Sequence, residues 1–331
     1  MRGKSKYKDR VSEEIQRYRE VEDIHDLPSI HHYWSGKYLS PLIRTFGFDT
    51  INDVHMHYMR KVCRADPGNK MRFISIGSGN CETEVFLAAS LVRHNVTNFS
   101  FECLDLNQSM LDRGAERARE NAVENYMVFS CVDLNSWDPG HKYDVVLALQ
   151  CLHHFVELES IFHKIHTSLS NDGFFVTHDM IGRNGHMRWP ETRTLVDELW
   201  SDLPDRYKYN QQLKRMEKRF LDWDCSQEGF EGIRAQDIMP LLTSTFHFEL
   251  LIHWGGVIDV FTDRMFGHNF SSDDESDRNF IDKVEFINRE KTLSGQIKPT
   301  QMIAAMGKSE FERKLFLYGM TPEFCTRNPT L

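Results

Sequence analysis

From Met71 to Lys308 short apolar runs alternate with longer amphipathic stretches, the pattern of a parallel sheet covered by helices on both faces. The apolar runs predict seven strands: Arg72 to Ile76, Phe99 to Leu104, Met127 to Cys131, Asp144 to Leu149, Phe174 to His178, Phe246 to His253 and Met302 to Met306. Helical spacing falls between the first five, at Glu82 to Arg93, Gln108 to Asn121 and Leu158 to Leu169, with Gly173 marking the turn into the fifth strand. Crossovers of that length demand parallel neighbours. The fold class expected is therefore α/β.

The flanks differ from this centre. Residues 1–70 read as a helical cap, with apolar positions at Ile15, Tyr18 and Val21, a turn at Trp34 to Tyr38, and an amphipathic stretch from Ile51 to Val62. Residues 71–308 form the main domain. A Lys/Arg/Glu-rich insertion at about 186–225 carries helical spacing at Leu195, Leu199, Leu213, Met216 and Phe220, and a second cover spans about 257–294. The tail, 309–331, holds one short helix candidate from Phe311 to Tyr318. The acidic run at 271–277 reads as a solvated loop or helix start.

Composition narrows the classes. A 40% apolar chain of 331 residues can bury an ordinary core. With 49 acidic against 40 basic side chains the net charge is −9, which repels a phosphate backbone and argues against nucleic acid as partner. The longest apolar stretch, near Asp144 to Leu152, is too short to span a membrane, and the basic amino terminus lacks the apolar run of a secretory signal, so a cytoplasmic location is expected. Seven cysteines, odd in number and without CxxC spacing, read as buried reduced thiols.

Chemistry concentrates where strands end. In RFISIGSGNCETEVFL, Arg72 to Leu87, an apolar strand enters a glycine turn and then a helix; Gly77, Ser78 and Gly79 would let a ligand approach the backbone, and the helix start offers free N–H groups. The dinucleotide fingerprint GxGxxG fails at its last position, where Glu82 would repel a pyrophosphate. A cationic ligand without phosphate tolerates it. Asp105 closes the strand FECLD at a position suited to the two hydroxyls of a ribose, with Leu106 and Met110 beside it to sandwich a base; Asn107 is the better helix cap. After MVFSC, Asp133 and Leu134 suit an adenine amino group and ring nitrogen, a plain turn aspartate being the alternative.

Through IGSGNC, LDLNQSML, VDLN, YDVVLALQCLHHF and LSNDGFFVTHD, in that order, the chain resembles the class I S-adenosylmethionine-dependent methyltransferases of the broad small-molecule type, well from Met71 to about Gly182 and more loosely to Lys308. The resemblance implies a Rossmann-like sheet of seven strands, mostly parallel with the last antiparallel, and S-adenosylmethionine lying across the carboxyl ends of the first four strands. It implies Gly77 and Gly79 at the methionine end, Asp105 on the ribose, Asp133 and Leu134 on the adenine, and Leu149 or Gln150 as the wall near the sulfonium. Two positions depart from the family pattern: Ser75 stands where an acidic residue is usual and Cys81 where a third glycine is usual. Glu82 or a cap residue is the candidate replacement for the missing carboxylate.

Methyl transfer from a sulfonium needs alignment and a dry site, with neither metal nor covalent nucleophile. A hydroxyl or amine acceptor needs a base, and His154, then His153, lie just after the fourth strand. His178 reads as strand packing, with Asp179 as its exposed partner. The loop beyond, DMIGRNGHMRWPET, offers Asp179, Arg183, His186, Arg188 and Trp189 to the acceptor, the arginines suiting a carboxylate or phosphate. His253, Trp254, Arg264 and His268 are weaker candidates for a pocket wall, and Tyr33, Trp34 and Tyr38 for an aromatic closure over the sulfonium. The expected function is methyl transfer to oxygen or nitrogen of a small molecule. A catalytically silent scaffold and a nicotinamide-dependent oxidoreductase are the alternatives, and the oligomeric state is not legible.

Overall fold

The computed structural model describes Arg10, Val11, Gln16 and residues 27–328 other than 135 and 228; the apolar positions Ile15, Tyr18 and Val21 lie outside the described residues. The strands are β1 (Met71–Ile76), β2 (Phe99–Asp105), β3 (Met127–Cys131), β4 (Tyr143–Leu149), β5 (Leu169–Met180), β6 (Tyr209–Asn210), β7 (Arg215–Met216), β8 (His247–Trp254), β9 (Gln301–Gly307) and β10 (Leu315–Phe316). The helices are α1 (Ser29–Trp34), α2 (Ser40–Arg44), α3 (Ile51–Ala65), α4 (Glu82–Arg93), α5 (Gln108–Glu120), α6 (Leu158–Ser168), α7 (Pro190–Asp202), α8 (Ala235–Thr245), α9 (Asp259–Thr262), α10 (Glu275–Leu293) and α11 (Pro322–Cys325).

Eight strands form one sheet in the order β10-β8-β9-β5-β4-β1-β2-β3. β1 pairs in parallel with β2 and β4, β2 with β3, and β4 with β5, while β9 runs antiparallel between β5 and β8. The count corrects the expected seven. Leu315 and Phe316 pair with Leu250 and Leu251, so the segment expected as a helix from Phe311 to Tyr318 instead extends the sheet edge. Its helix is also opposed by Tyr318 and Gly319, whose φ of 55° and 70° are left-handed.

Central strands are buried on both faces, as parallel strands under helices must be. One face packs Phe73, Phe101, Val145 and Val176 against α3, α4 and α5; the other packs Ile74, Val146, Phe175 and Leu251 against α6 and α8. α3 starts at a capping box between Thr50 and Asp53 and buries Val54, Met56, Tyr58, Met59 and Val62 on the first face. Part of the expected cap is thus a layer of the core. Trp34 to Tyr38 is helical, not a turn: residues Ser35–Leu39 form a π-helical turn joining α1 to α2.

The insertion is α-helical over Pro190–Asp202, followed by a single 3-10 turn at Asp205–Tyr207. Beyond it Asn210 Oδ1 accepts from the backbone N–H groups of Gln212 and Leu213, closing a hairpin between β6 and β7, so the expected helical positions Leu213 and Met216 lie in a turn and a strand. Six cysteines are buried free thiols. Cys131 is exposed, because it ends the edge strand β3. Among the described residues no helix is long and apolar enough to cross a membrane.

Candidate functional site

Parallel strands deliver their following loops to one rim of the sheet, so the turns after β1, β2, β3, β4, β5 and β8 share an edge. At its centre the turn after β1 is left-handed at Gly77 (φ 64°) and Gly79 (φ 52°). Gly77 is required twice over, since a Cβ there would lie 2.7 Å from Cys151 Cβ in the turn after β4. Ser78 closes onto β2 by donating from its N–H to Leu104 O at 2.9 Å. Asp105 ties the two turns together: Oδ2 accepts from Gly79 N at 2.8 Å and Oδ1 from Asn107 N at 2.8 Å. Met110, nearly buried on α5, would meet a Gly79 Cβ at 3.3 Å. Asp133 and Leu134 follow β3, adjacent to Asp105 through Val132 N donating to Asp105 O at 2.9 Å. Leu134 is buried and Leu106, Asp105 and Asp133 are half-buried on this rim.

The two departures in the glycine turn have local answers. Cys81 takes the left-handed conformation (φ 56°) that a glycine would favour, and its side chain fits because α5 presents Gly114 opposite it. Ser75 donates from its hydroxyl to Glu84 Oε1 at 2.7 Å. A carboxylate therefore does reach the place under the turn, from α4 and not from β1. Burial pushes the Glu84 carboxyl up to about 7, with the Ser75 bond opposing. Glu82, the replacement considered from sequence, is paired with Arg117 at 2.6 Å, and Arg113 and Arg117 also bond Asn80, so α5 holds this loop from outside.

The other half of the rim is a cluster of imidazoles and carboxylates. Asp179, expected exposed, is fully buried: the β5 register turns it under the β4 loop, where it accepts from Cys151 N (2.8 Å), Leu152 N (2.7 Å) and Met180 N (2.8 Å). His153 Nδ1 lies 2.6 Å from Asp179 Oδ1. On its far side His153 Nε2 faces Glu231 at 3.4 Å, which His186 Nε2 meets at 2.7 Å and His154 Nε2 at 3.6 Å. Burial alone would lower the His153 pKa, but Asp179 and then Glu231 raise it to about 10, so the imidazole is protonated at neutral pH. Glu231 is held well below the ordinary carboxylate range: burial opposes this, and the bonds from His153 and His186 outweigh it.

Glu231 was not foreseen. It sits between Gly229 and Gly232, both left-handed, in a turn pinned to the cluster by Ile233 N donating to His153 O at 3.0 Å and Gly185 N to Gly232 O at 2.9 Å. Two glycines around an acid were the only signal, and no spacing relates that turn to His153. His186 (φ 53°) and Gly185 (φ 66°) bend the loop after β5 so that the ring enters the cluster. The remaining loop candidates are packed. Arg188 donates from Nη1 to His186 O at 2.7 Å and is nearly buried, while Arg183 and Arg327 lie over the buried Trp189 ring.

Gln150 links the halves. It is left-handed (φ 53°), takes His178 O on its N–H at 2.7 Å and meets His178 Nε2 at 2.9 Å; Leu149 before it is half-buried. His178 packs on Trp254 at 5.4 Å, and Trp254 in turn lines a crevice with Trp34, Tyr38, His253 and Glu285. The aromatic cap residues are engaged on α10: Tyr33 and Tyr38 donate to Asp282, and Trp34 Nε1 to Glu285 at 2.8 Å.

A family model described as a methyltransferase domain matches residues 74–175, from β1 into β5. The chain is 26% identical over 183 residues to fusarielin synthase FSL1 of Gibberella zeae; the match covers 53% of this chain and 6% of that much longer protein. Among solved structures it is similar to the O-methyltransferase from the trans-AT PKS multienzyme of Brevibacillus brevis in complex with S-adenosyl-L-homocysteine, at 11% identity over 87% of this chain and 85% of that one, with a TM-score of 0.46. It is also similar to the citrinin polyketide synthase CMeT domain, at 18% identity over 73% of this chain and 47% of that one, with a TM-score of 0.40. The glycine turn after β1 and the acidic residues closing β2 and following β3 lie within or beside the stretch 74–175 that matches, so this half of the sheet is a methyltransferase domain by its family match.

Proposed function

We propose that residues 71–308 form a catalytic domain that transfers the methyl group of S-adenosylmethionine to an oxygen or nitrogen atom of a small molecule placed over the ends of β4 and β5. The observation that carries this reading is the imidazole and carboxylate cluster beside Gln150, because a hydroxyl or ammonium acceptor must lose a proton and this is the proton-handling part of the rim. When bound, the cofactor supplies an electrophilic methyl on a sulfonium that leaves as a neutral thioether.

The residues fit that ligand. Asp105 and Asp133, at the adjacent ends of β2 and β3, are placed for a ribose diol and an adenine amino group. Gly77, Ser78 and Gly79 take the methionine end; Leu106, Met110 and Leu134 flank the base; Leu149 and Gln150 wall the sulfonium. His154 is the base. Its neighbour His153 is already protonated and locked between Asp179 and Glu231, whereas about a fifth of the His154 side chain is open. Asp179 fixes the loop that carries both histidines.

Incubation with methyl-labelled cofactor and a small-molecule extract should place label in the low-mass fraction, as O-methyl or N-methyl by NMR. Label confined to protein, or to a new carbon–carbon bond, would reject the acceptor class. Calorimetry with S-adenosylhomocysteine tests the other half: Asp105→Ala should weaken binding at least about tenfold, since charge-assisted bonds contribute about 1.5–3 kcal/mol each. Unchanged affinity removes the ribose assignment.

A further inference from the structure

Three imidazole Nε2 atoms, from His153, His154 and His186, face one carboxylate, that of Glu231, at 3.4, 3.6 and 2.7 Å. That is more than proton handling for one acceptor requires. Imidazole nitrogens and a carboxylate oxygen that converge on one point make up the donor set of a transition-metal ion.

The elements bring these donors in from three separate places. His153 is carried by the turn after β4, His186 by the loop after β5 through the left-handed pair Gly185–His186, and Glu231 by the turn between Gly229 and Gly232. One donor atom from each lies within 4.8 Å of the other two. An ion bonded at about 2.0–2.2 Å to nitrogen and oxygen ligands fits among them after small side-chain rotations. Behind His153, Asp179 takes Nδ1 at 2.6 Å and is itself anchored by three backbone N–H groups. A carboxylate on the back of a histidine, fixing its tautomer so that Nε2 points outward, is the support that metal-binding histidines receive. The two carboxylates supply two negative charges against the charge of a divalent ion. The Arg188 guanidinium, the opposing charge nearby, is turned onto the main-chain oxygen of His186.

We propose that His153 Nε2, which gives up its proton as the ion binds, His186 Nε2 and a Glu231 carboxylate oxygen form a site for one divalent first-row transition-metal ion, with Asp179 as the support of His153. Two imidazoles and a carboxylate, without thiolate, select a borderline ion such as Zn2+ or Co2+ over Mg2+ or Ca2+. Three protein ligands leave a fourth position of a tetrahedral ion for a water or an oxygen of the acceptor. The inference does not depend on methyl transfer, because the ion is measured without cofactor.

The test is calorimetric titration of Zn2+ into the full chain after removal of metals with a chelator, with Co2+ absorption as the second readout. One ion per chain is expected, with a Co2+ spectrum free of thiolate charge transfer. Glu231→Gln and His186→Ala should each weaken binding at least about tenfold, and His247→Ala, an exposed histidine paired with Glu310, should not. Should either cluster variant fail to fold, wild-type protein decides: Zn2+ should shield His186, and not His247, from diethyl pyrocarbonate. Equal affinity in the variants, thiolate bands with Co2+, or equal labelling of His186 with and without Zn2+ would overturn the site.

Discussion

Cys81 shows how a departure from a familiar pattern is absorbed by a neighbour. An L-residue held at φ 56° is strained by about 1 kcal/mol, and its side chain needs room that a loop glycine would not. Gly114 provides it: a Cβ there would come within 2.9 Å of both Cys81 Cβ and Sγ, and within 3.3 Å of Asn80 O. Gly114→Ala should therefore destabilise the fold by about 1–3 kcal/mol, the usual range for overpacking. In the Cys81→Gly background the same substitution should cost much less, and a double-mutant cycle from urea unfolding would read the difference as coupling of about 1 kcal/mol or more. Additive effects would show that the two positions are not complementary. At this scale the sequence displayed Asp105 and Asp133 at strand ends, because a strand end is a local property. Gly77 was legible as a glycine but not for its reason, contact with Cys151, and Glu231 was not legible at all, since its neighbours come from distant segments.

Element by element, β1 to α6 follow the hydrophobic pattern closely, since central parallel strands are continuous apolar runs and the helices between them are amphipathic with clear ends. The pattern fails at the sheet margin and in the insertion. There, pairing with β8 or a turn built on Asn210 outweighs helical spacing of a few residues. The β1–α4 unit carries its own prediction. Glu84 is 3% exposed beneath the glycine turn, and its folded-state pKa of about 7 lies above the ordinary 4.5. A raised carboxyl favours the folded state fully only below about pH 4.5, and that contribution is lost as the pH rises through 7. The gap corresponds to about 3 kcal/mol. Glu84→Gln keeps a partner for Ser75 and removes the charge, so variant and wild type should be alike near pH 4.5 and the variant more stable by up to about 3 kcal/mol at pH 8.5. Denaturant titrations across that range test it; parallel curves would mean that Glu84 is not ionised at cost in the folded protein.

Across the whole molecule, the segment Tyr33 to Tyr38 and the long helix before β9 meet at two carboxylates, Asp282 and Glu285. Asp282 accepts from Tyr33 (2.9 Å), Tyr38 (2.7 Å) and Lys37 (2.7 Å), while Trp34 bonds Glu285 one turn on. Tyr33 and Lys37 share a face of an ordinary helix, being four apart, but Tyr38 would point away. The π-helical turn over Ser35–Leu39 winds more slowly and brings it round, a local irregularity whose use is long-range attachment. This strap walls a crevice together with Trp254, whose ring packs on His178. Asp282 is partly exposed, and solvent screening leaves about 1–2 kcal/mol of attachment from the three donors. Asp282→Ala should then speed amide exchange over residues 29–44 about tenfold, with exchange in β1, β4 and β5 unchanged, because the sheet core does not depend on that carboxylate. Exchange that rose everywhere would make the strap part of the global fold, and exchange that rose nowhere would assign the attachment to Trp34 and apolar packing alone.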